Sequence, residues 1–212
     1  MSEIVKVENV TKYFKQEKVL DDVNMNLETG HIYGIVGKNG AGKTVLFKII
    51  AGFIKPSSGK VTVAGKIIGV DRDFPDSLGL IIETPGFLSQ YNAYQNLLYL
   101  ANINNKISKE DIKESIRMVG LDPDSNKKVG KFSLGMRQRL GIAQAIMENP
   151  NLIILDEPMN GLDKKGIEDV KELLLKLKGD RKTILMASHY AEDMEICDEV
   201  FQMEDGKLGE MK

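Results

Sequence analysis

The sequence contains no long hydrophobic run and almost no cysteine. Its 212 residues include no stretch that approaches the roughly 18 consecutive apolar residues of a membrane-spanning helix. The first residues, MSEIVKVENV, lack the basic and then apolar layout of a signal peptide, so we expect the chain in the cytoplasm. Cys197 is the single cysteine, which excludes an internal disulfide, and its flanks in EICDEVF favour a small buried side chain over a reactive thiol.

The sequence also lacks an excess of basic residues. It has 29 lysine and arginine residues against 31 aspartate and glutamate residues, which gives a formal net charge of −2. Domains that bind nucleic acid are normally basic, so we expect no nucleic acid partner. A content of 42% hydrophobic and 28% charged residues is typical of one globular domain with a substantial core.

Short β-rich runs alternate with helical patterns along the chain, which favours an α/β fold with a mainly parallel sheet. These runs are HIYGIVG, KVTVAG, LGLIIE, NLIILDEP and KTILMASH. The first two dozen residues favour an additional antiparallel part. Strand signals stop between residues 90 and 149, where one helical pattern begins with a capping box of Ser108 and Asp111. We predict a single domain of residues 1–212, with residues 1–89 and 150–212 as its core and residues 90–149 as a helical subdomain.

A phosphate-binding loop is predicted between the first of these runs and the helical pattern that follows it. Gly37 is followed after four residues by Gly42, Lys43 and Thr44, which matches the pattern GxxxxGK[ST]. The glycines let backbone N–H groups point at phosphate oxygens, and the helix N-terminus adds its positive dipole. Lys43 is expected to reach the β and γ phosphates, and the Thr44 hydroxyl to bind Mg²⁺. The candidate nucleotide-binding residues are Gly37, Lys38, Asn39, Gly40, Ala41, Gly42, Lys43, Thr44 and Val45.

An acidic pair follows the apolar run LIIL, which is typical of a buried strand. Ligands bind at the C-terminal ends of such strands, where Asp156 would hold Mg²⁺ through water and Glu157 would polarise the water that attacks the γ-phosphate. An acidic pair at a strand end is otherwise usually a helix cap or a solvated turn. The phosphate loop upstream favours the catalytic interpretation, but these residues do not distinguish one class of P-loop enzyme from another.

The segment FSLGMRQRLGIAQAIMENPNLIILDEP resembles the signature of ABC ATPases followed by their Walker B strand. Ser133 and Gly135 stand at signature positions, whereas Leu134 and Met136 replace the usual glycine and glutamine. Ser133 would cap a helix whose N-terminal N–H groups favour an anion. The resemblance identifies this anion as the γ-phosphate bound by the opposite subunit, and it implies a head-to-tail homodimer around two Mg-ATP molecules. The other interpretation is an ordinary capped helix with Met136, Leu140, Ala143 and Met147 as its buried stripe, and both interpretations can be true at once.

Further elements of the ABC pattern follow in the expected order. The resemblance implies that Tyr13 stacks on adenine, that Glu83 stands at the Q-loop position, that Asp163 ends the D-loop and that His189 senses the γ-phosphate. Tyr13 could equally pack on the core, and a lone histidine at a strand end is otherwise usually structural. Glu83 replaces the usual glutamine and brings a negative charge close to phosphate, which metal coordination could offset. The predicted catalytic residues are Lys43, Glu157 and His189, and the predicted Mg²⁺ ligands are Thr44, Asp156 and Glu83.

The segments LGLIIETPGF and SLGM together resemble the ABC subunits of bacitracin-resistance and lantibiotic-immunity type exporters. This resemblance implies an ATP-hydrolysing motor subunit that a separate permease holds at the inner face of the cell membrane. The exported molecule would be a peptide antibiotic or a similar amphiphile. The alternative is a regulatory ABC ATPase that acts as an ATP-driven switch on a partner that is not a transporter.

Overall fold

The computed structural model describes residues 2–83 and 85–210, which form two β-sheets with helices packed around them. The strands and α-helices follow in chain order as β1 (Glu3–Phe14), β2 (Glu17–Glu28), β3 (Ile32–Val36), α1 (Lys43–Ile50), β4 (Ser58–Val63), β5 (Lys66–Ile67), β6 (Leu78–Ile81), α2 (Ala93–Asn104), α3 (Lys109–Met118), α4 (Leu134–Ile146), β7 (Leu152–Asp156), α5 (Lys164–Gly179), β8 (Thr183–Ser188), β9 (Glu199–Glu204) and β10 (Lys207–Glu210). Two short 3₁₀ helices span Val129–Lys131 and Ala191–Ile196.

The first sheet is antiparallel and has the strand order β2-β1-β4-β5. Alternate residues of β2 are buried, because one face of this sheet packs on the core and the other faces solvent. The antiparallel part predicted at the N-terminus is therefore confirmed. It also includes the run KVTVAG, which pairs with β1 and not with the parallel strands. In this run Val61 and Val63 are buried and Thr62 between them is half-buried, the period of two that a sheet with one covered face requires.

The second sheet has the strand order β10-β9-β3-β8-β7-β6, in which all strands except β10 run parallel. β7 and β8 are buried along their whole length. Alternate residues of these strands face two hydrophobic clusters, one that includes α2 to α5 and one that includes α1, β1 and β2. The mainly parallel α/β core that the sequence predicts is thus confirmed. β9 is not among the predicted runs, because only Phe201 and Met203 of its residues are buried.

The elements between β6 and β7 are helical, as the sequence predicts for this part of the chain. The capping box that begins α3 is confirmed, since Ser108 and Asp111 exchange side-chain to backbone hydrogen bonds. An analogous box of Asn92 and Gln95 begins α2. Residues of α2, α3 and α4 share one hydrophobic cluster with the parallel sheet. The division of the chain into a core and a helical subdomain stays a prediction.

No helix among the described residues has the length and hydrophobicity needed to cross a bilayer. Cys197 is half-buried, and its sulfur lies 3.7 Å from the sulfur of Met194. Burial raises the pKa of the Cys197 thiol to about 12, so the thiol stays protonated near neutral pH. This environment agrees with the inert cysteine that the sequence favours.

Candidate functional site

The phosphate loop joins the C-terminal end of β3 to the N-terminus of α1 and forms one wall of a cavity of about 420 Å³. Gly42 caps α1 with a φ of 109°, a left-handed conformation that a residue with a side chain adopts only with strain. The cavity wall includes the loop residues from Lys38 to Val45. Glu83, Asp156 and Glu157 line the same cavity from the ends of the neighbouring strands. The structure therefore brings the phosphate loop and the predicted acidic residues together.

A hairpin late in the chain fixes the backbone of this loop. The backbone N–H of Gly206, in the turn between β9 and β10, donates to the carbonyl oxygen of Ala41 at 3.1 Å. The carbonyl oxygen of Gly206 accepts a hydrogen bond from the N–H of Asp21 at 2.9 Å. Gly206 has a φ of 76°, and a Cβ atom at this position would lie 2.5 Å from the carbonyl oxygen of Val19. The hairpin turn thus ties the phosphate loop to the antiparallel sheet.

Lys43 points into the phosphate loop and is only 6% exposed. Its ammonium donates to the carbonyl oxygens of Gly37 at 2.5 Å and Lys38 at 3.2 Å. The same nitrogen lies 3.7 Å from Oε1 of Glu157. A buried ammonium is stable only with such acceptors around it. The group is therefore held at the centre of the loop, where its charge can contact an anion.

Thr44 and Asp156 are joined directly, since the Thr44 hydroxyl donates to Oδ2 of Asp156 at 2.6 Å. Asp156 is buried at the end of β7, and this burial raises the pKa of its carboxyl above the usual range. The charge of Glu157 raises it further, whereas the Thr44 hydrogen bond and the Lys43 charge lower it. A hydroxyl and a carboxylate at hydrogen-bond distance are suited to one hard cation, and Mg²⁺ takes few protein oxygens besides water and phosphate.

Glu157 lies between the phosphate loop and the end of β8. The ring N–H at Nδ1 of His189 donates to Oε2 of Glu157 at 2.9 Å, because an ionised carboxylate only accepts. The other carboxylate oxygen faces Lys43. The backbone of Glu157 has a φ of 52°, which is uncommon for a residue other than glycine. Lys43, Glu157 and His189, the three predicted catalytic residues, therefore form one connected group, and their catalytic roles stay a prediction.

Glu83 has a partner that the sequence did not predict. Its Oε1 lies 2.6 Å from the ammonium of Lys48, which projects from α1 one turn after Thr44. Glu83 is 65% exposed and has a φ of 59°, so the pair lies at the rim of the cavity and not in its interior. An ion pair that is this exposed contributes only about 0–1 kcal/mol to stability. The carboxylate contributes to the raised pKa of Asp156, but it is engaged with Lys48 and not with Thr44.

The predicted signature residues lie at the start of α4. Ser133 is the N-cap of this helix, and its hydroxyl accepts a hydrogen bond from the N–H of Met136 at 3.2 Å, which confirms the predicted cap. Leu134 is 56% exposed, lines the cavity and packs closely over Gly161. Of the predicted helix stripe, Leu140, Ala143 and Met147 are buried and Met136 is half-buried. The structure thus contains the capped helix, while the residues that line the cavity here are Leu134, Arg137 and Gln138.

Several predicted site residues do not line the cavity. Ser133 and Gly135 lie beside it, and Asp163 caps α5 by accepting a hydrogen bond from the N–H of Gly166 at 2.8 Å. Tyr13 is 43% exposed and lies opposite Lys18 in the β1 and β2 hairpin, so it is not packed in the core. Its proposed stacking on adenine stays a prediction.

Sequence reasoning missed two contacts of the site. Lys48 looks like an ordinary solvated lysine on a helix, and only the three-dimensional structure pairs it with Glu83. Gln138 is buried, and its side-chain amide donates to the carbonyl oxygens of Glu157 and Pro158, both at 3.1 Å. A polar residue on the buried side of a helix that otherwise presents apolar residues is the signal that could have identified Gln138.

Comparison with known proteins agrees with this geometry. Residues 20–160 match the sequence model of the ABC transporter family. The chain is 45% identical over 206 residues to the ABC transporter ATP-binding protein YybJ of Bacillus subtilis, covering 97% of this chain and 94% of that protein. It is 42% identical to the bacitracin transport ATP-binding protein BcrA of Bacillus licheniformis, with coverage of 98% and 69%. It is 35% identical to the lantibiotic transport ATP-binding protein SrtF of Streptococcus pyogenes, with coverage of 97% and 89%.

The fold is also similar to solved structures. The dimeric structure of MJ0796, a bacterial ABC transporter cassette, has a TM-score of 0.88 and 25% identity, and the match covers 99% of both chains. A post-hydrolysis state of the same cassette bound to ADP and Pi matches equally well. The chain therefore belongs to the ABC transporter family. It is an ATP-binding subunit and an ATPase, as the sequence predicts, and its similarity to bacitracin and lantibiotic transport subunits extends over almost its full length.

Proposed function

We propose that this subunit is the motor of an exporter for a peptide antibiotic or a similar amphiphile. It would act as a homodimer around two Mg-ATP molecules and drive a separate permease. The observation that supports the ATP-driven part of this proposal is the connected group of Lys43, Glu157 and His189 beside the phosphate loop. The export of an antibiotic is supported by the names of the relatives BcrA and SrtF, which are bacitracin and lantibiotic transport proteins.

The phosphate loop would bind the triphosphate of ATP. Its backbone N–H groups and the N-terminus of α1 favour an anion, and Lys43 would exchange its contacts with the carbonyl oxygens of Gly37 and Lys38 for phosphate oxygens. Thr44 and Asp156 would hold Mg²⁺, which neutralises charge on the phosphates when it is bound. Tyr13, which is exposed on the hairpin of β1 and β2, would stack on the adenine.

Glu157 would orient and polarise the attacking water, and His189 would contact the γ-phosphate. The hydrogen bond between them fixes one oxygen of the Glu157 carboxylate, while the other oxygen faces Lys43. Phosphoryl transfer depends mainly on positioning and electrostatics, so a carboxylate held in place is suited to orient the attacking water. Glu83 would join the Mg²⁺ coordination only after it leaves Lys48.

The second half of each ATP site would come from a second copy of the chain. Ser133, Gly135 and Asp163 do not line the cavity of their own subunit, so they would contact nucleotide across a dimer interface. The exposed start of α4, with the dipole of a helix of 13 residues behind it, is suited to a phosphate anion. The cassette MJ0796, which is described as dimeric, supports this arrangement by its similarity. ATP would then favour the dimer because it binds the dimer more tightly than the monomer.

The proposed permease determines where in the cell this subunit would be located. A subunit that drives a permease would be held at the inner face of the cell membrane through that permease. Bacitracin and lantibiotics are the substrates named in the relatives, and a peptide antibiotic or a similar amphiphile is the substrate class that we propose here.

Two experiments test this proposal. The first is mass-spectrometric identification of the proteins that co-purify with the tagged subunit from detergent-solubilised membranes of its native cell. We expect a permease with several membrane spans; a ribosomal or signalling partner in its place would contradict export and favour a regulatory ATPase.

The second experiment is light scattering of the Glu157→Gln variant with Mg-ATP. We expect a dimer, whereas Lys43→Ala stays monomeric under the same conditions. A monomer in both cases would contradict the dimer.

A further inference from the structure

The backbone turn that carries Glu157 is held by several hydrogen bonds. Its φ of 52° is in the left-handed region, which is strained for a residue other than glycine. The N–H of Glu157 donates to the carbonyl oxygen of Ala187 at 2.9 Å, and its own carbonyl oxygen accepts from the N–H of Asn160 at 3.1 Å. A strained turn persists only when its surroundings fix it. The contacts of this turn therefore decide where the Glu157 carboxylate points.

One of these contacts comes from a distant part of the chain. The side-chain amide of Gln138, on α4, donates to the carbonyl oxygens of both Glu157 and Pro158 at 3.1 Å. Both partners are acceptors, so the NH₂ group of Gln138 must face them and the orientation of the amide follows from chemistry. Gln138 is only 8% exposed, and water therefore does not replace these bonds freely.

An apolar residue would be the ordinary choice at this position. The later buried positions of α4, Leu140, Ile142 and Ala143, are apolar and pack in the hydrophobic cluster. Gln138 differs because both of its hydrogen bonds go to two consecutive peptide units of the Glu157 turn. A single hydrogen bond makes only a small net contribution to stability, so the stability of the fold does not depend on this residue alone. Its specific effect is on the geometry of the turn.

We propose that Gln138 is a positioning residue that holds the Glu157 turn and so connects the signature helix to the catalytic carboxylate of the same subunit. This inference rests on the proposed role of Glu157. The helix α4 begins only a few residues before Gln138, with Ser133 as its cap. A small shift of the helix start would move the amide of Gln138, and the two carbonyl oxygens it binds would move with it. Contact of the helix start with nucleotide would thereby adjust the carboxylate.

The test is the variant Gln138→Met, which keeps the length of the side chain and removes both donors. We expect kcat for ATP hydrolysis to fall about tenfold or more, because small displacements of catalytic groups have large effects on rate. The affinity for a non-hydrolysable ATP analogue with Mg²⁺ should stay within about twofold, because the Gln138 amide, although it lines the cavity, donates its hydrogen bonds to the carbonyl oxygens of Glu157 and Pro158 and not to a predicted phosphate ligand. The matched control is Gln144→Met on the same helix, where the half-buried Gln144 contacts neither Glu157 nor Pro158.

A second comparison separates positioning from a general loss of structure. In the Glu157→Gln background, Gln138→Met should lower the residual turnover no further, because the group that it positions is already changed. Equal losses in both backgrounds would overturn the inference. An unchanged kcat in Gln138→Met, while Glu157→Gln is inactive, would also overturn it and leave the proposed function intact. Full activity of Glu157→Gln would instead contradict the proposed function.

Thermal unfolding of each variant checks that it is folded. If Gln138→Met does not fold, Gln138→Glu replaces it in the same assays. This variant has the same shape, but its carboxylate would face the two carbonyl oxygens that the amide now binds, so kcat at saturating Mg-ATP should again fall. A folded Gln138→Glu variant with normal kcat would contradict the role of Gln138.

Discussion

The two predicted halves of the ATP site differ in how complete they are within one chain. At the phosphate-loop end, side chains from α1, β7 and the end of β8 contact one another directly, as in the pairs Thr44 with Asp156 and Glu157 with His189. At the signature end, Ser133 and Asp163 make local helix caps. The first end has its charged groups in position within one subunit, whereas the second presents an exposed helix start.

This difference indicates which substitutions act within a subunit and which act only in an assembly. Changes at the phosphate-loop end should alter ATP binding or hydrolysis by any form of the protein. Changes at the signature end should leave ATP binding to a single subunit intact and alter only the turnover of the dimer. Four substitutions test this contrast, starting from the one with the largest expected effect.

The largest effect is expected for Glu157→Gln. Glutamine keeps the shape of the side chain but is a far weaker acceptor for a proton from water, so we expect turnover to fall about 100-fold or more while ATP affinity is kept. Steady-state phosphate release and equilibrium nucleotide binding measure the two quantities. Turnover that equals that of the unchanged protein would exclude Glu157 as the water-positioning group.

Lys43→Ala should act on binding. It removes an ammonium that is held inside the phosphate loop, and charge-assisted hydrogen bonds contribute about 1.5–3 kcal/mol each. We therefore expect ATP affinity to fall by about 10- to 100-fold, measured with a fluorescent nucleotide at low protein concentration. Lys48→Ala is the matched control on the same helix, since Lys48 pairs with Glu83 at the rim. A loss of equal size in both variants would contradict the specific role of Lys43.

Ser133→Ala should have an intermediate effect, and only on the assembled protein. Losing an N-cap destabilises a helix by about 1 kcal/mol, so stability alone does not distinguish a partner-facing cap. Ser108→Ala is therefore the control, because Ser108 caps α3 in the same way and does not line the cavity. We expect a similar drop in thermal stability for both variants, but a roughly threefold to tenfold lower turnover for Ser133→Ala only. Equal turnover in the two variants would contradict the proposed difference between the phosphate-loop end and the signature end of the ATP site.

The smallest effect is expected on stability, from Asp156→Asn. Because burial raises the pKa of Asp156, the folded protein favours its protonated form, and its ionisation destabilises the fold. The penalty is absent below the ordinary carboxyl pKa of 3.8 and grows as the pH rises through the raised folded pKa. Asparagine removes it, so without nucleotide the Tm should rise by a few degrees near neutral pH.

This stability gain has a pH signature that differential scanning calorimetry can follow. The difference in Tm between Asp156→Asn and the unchanged protein should shrink as the pH is lowered towards 3.8. Asp73→Asn serves as the control, since it removes the same charge at an exposed position. A Tm difference that stays constant with pH would mean that burial of the Asp156 charge does not cause it.

The phosphate-loop end can be predicted from the sequence because its information is local. Nine consecutive residues form the loop, and Asp156 and Glu157 stand at the end of an apolar run that is typical of a buried strand. The caps Ser108 and Ser133 are predictable for the same reason, since a cap depends on residues within one turn. The grouping of the run KVTVAG with the parallel strands is wrong, because a short apolar strand carries no information about its pairing partner.

The contacts that sequence reasoning missed are those between residues far apart in the chain. Lys48 on α1 reaches Glu83, which follows β6, and Gln138 on α4 reaches Glu157, which follows β7. Neither pair has a fixed spacing that a pattern could contain. A lysine on a helix, such as Lys48, and a glutamine between two arginines, such as Gln138, are usually exposed to solvent. Residue type alone therefore gives no reason to place either residue in the site.

The hydrogen bond from the Gly206 N–H to the Ala41 carbonyl oxygen has a consequence for when the ATP site forms during protein synthesis. The strand β3 that precedes the phosphate loop is flanked by β8 and β9, and the loop itself is fixed by the turn that follows β9. A growing polypeptide that leaves the ribosome would carry the phosphate loop long before the segments that shape it. The site would become competent for ATP only once Gly206 has emerged, so a partly made chain would not consume ATP.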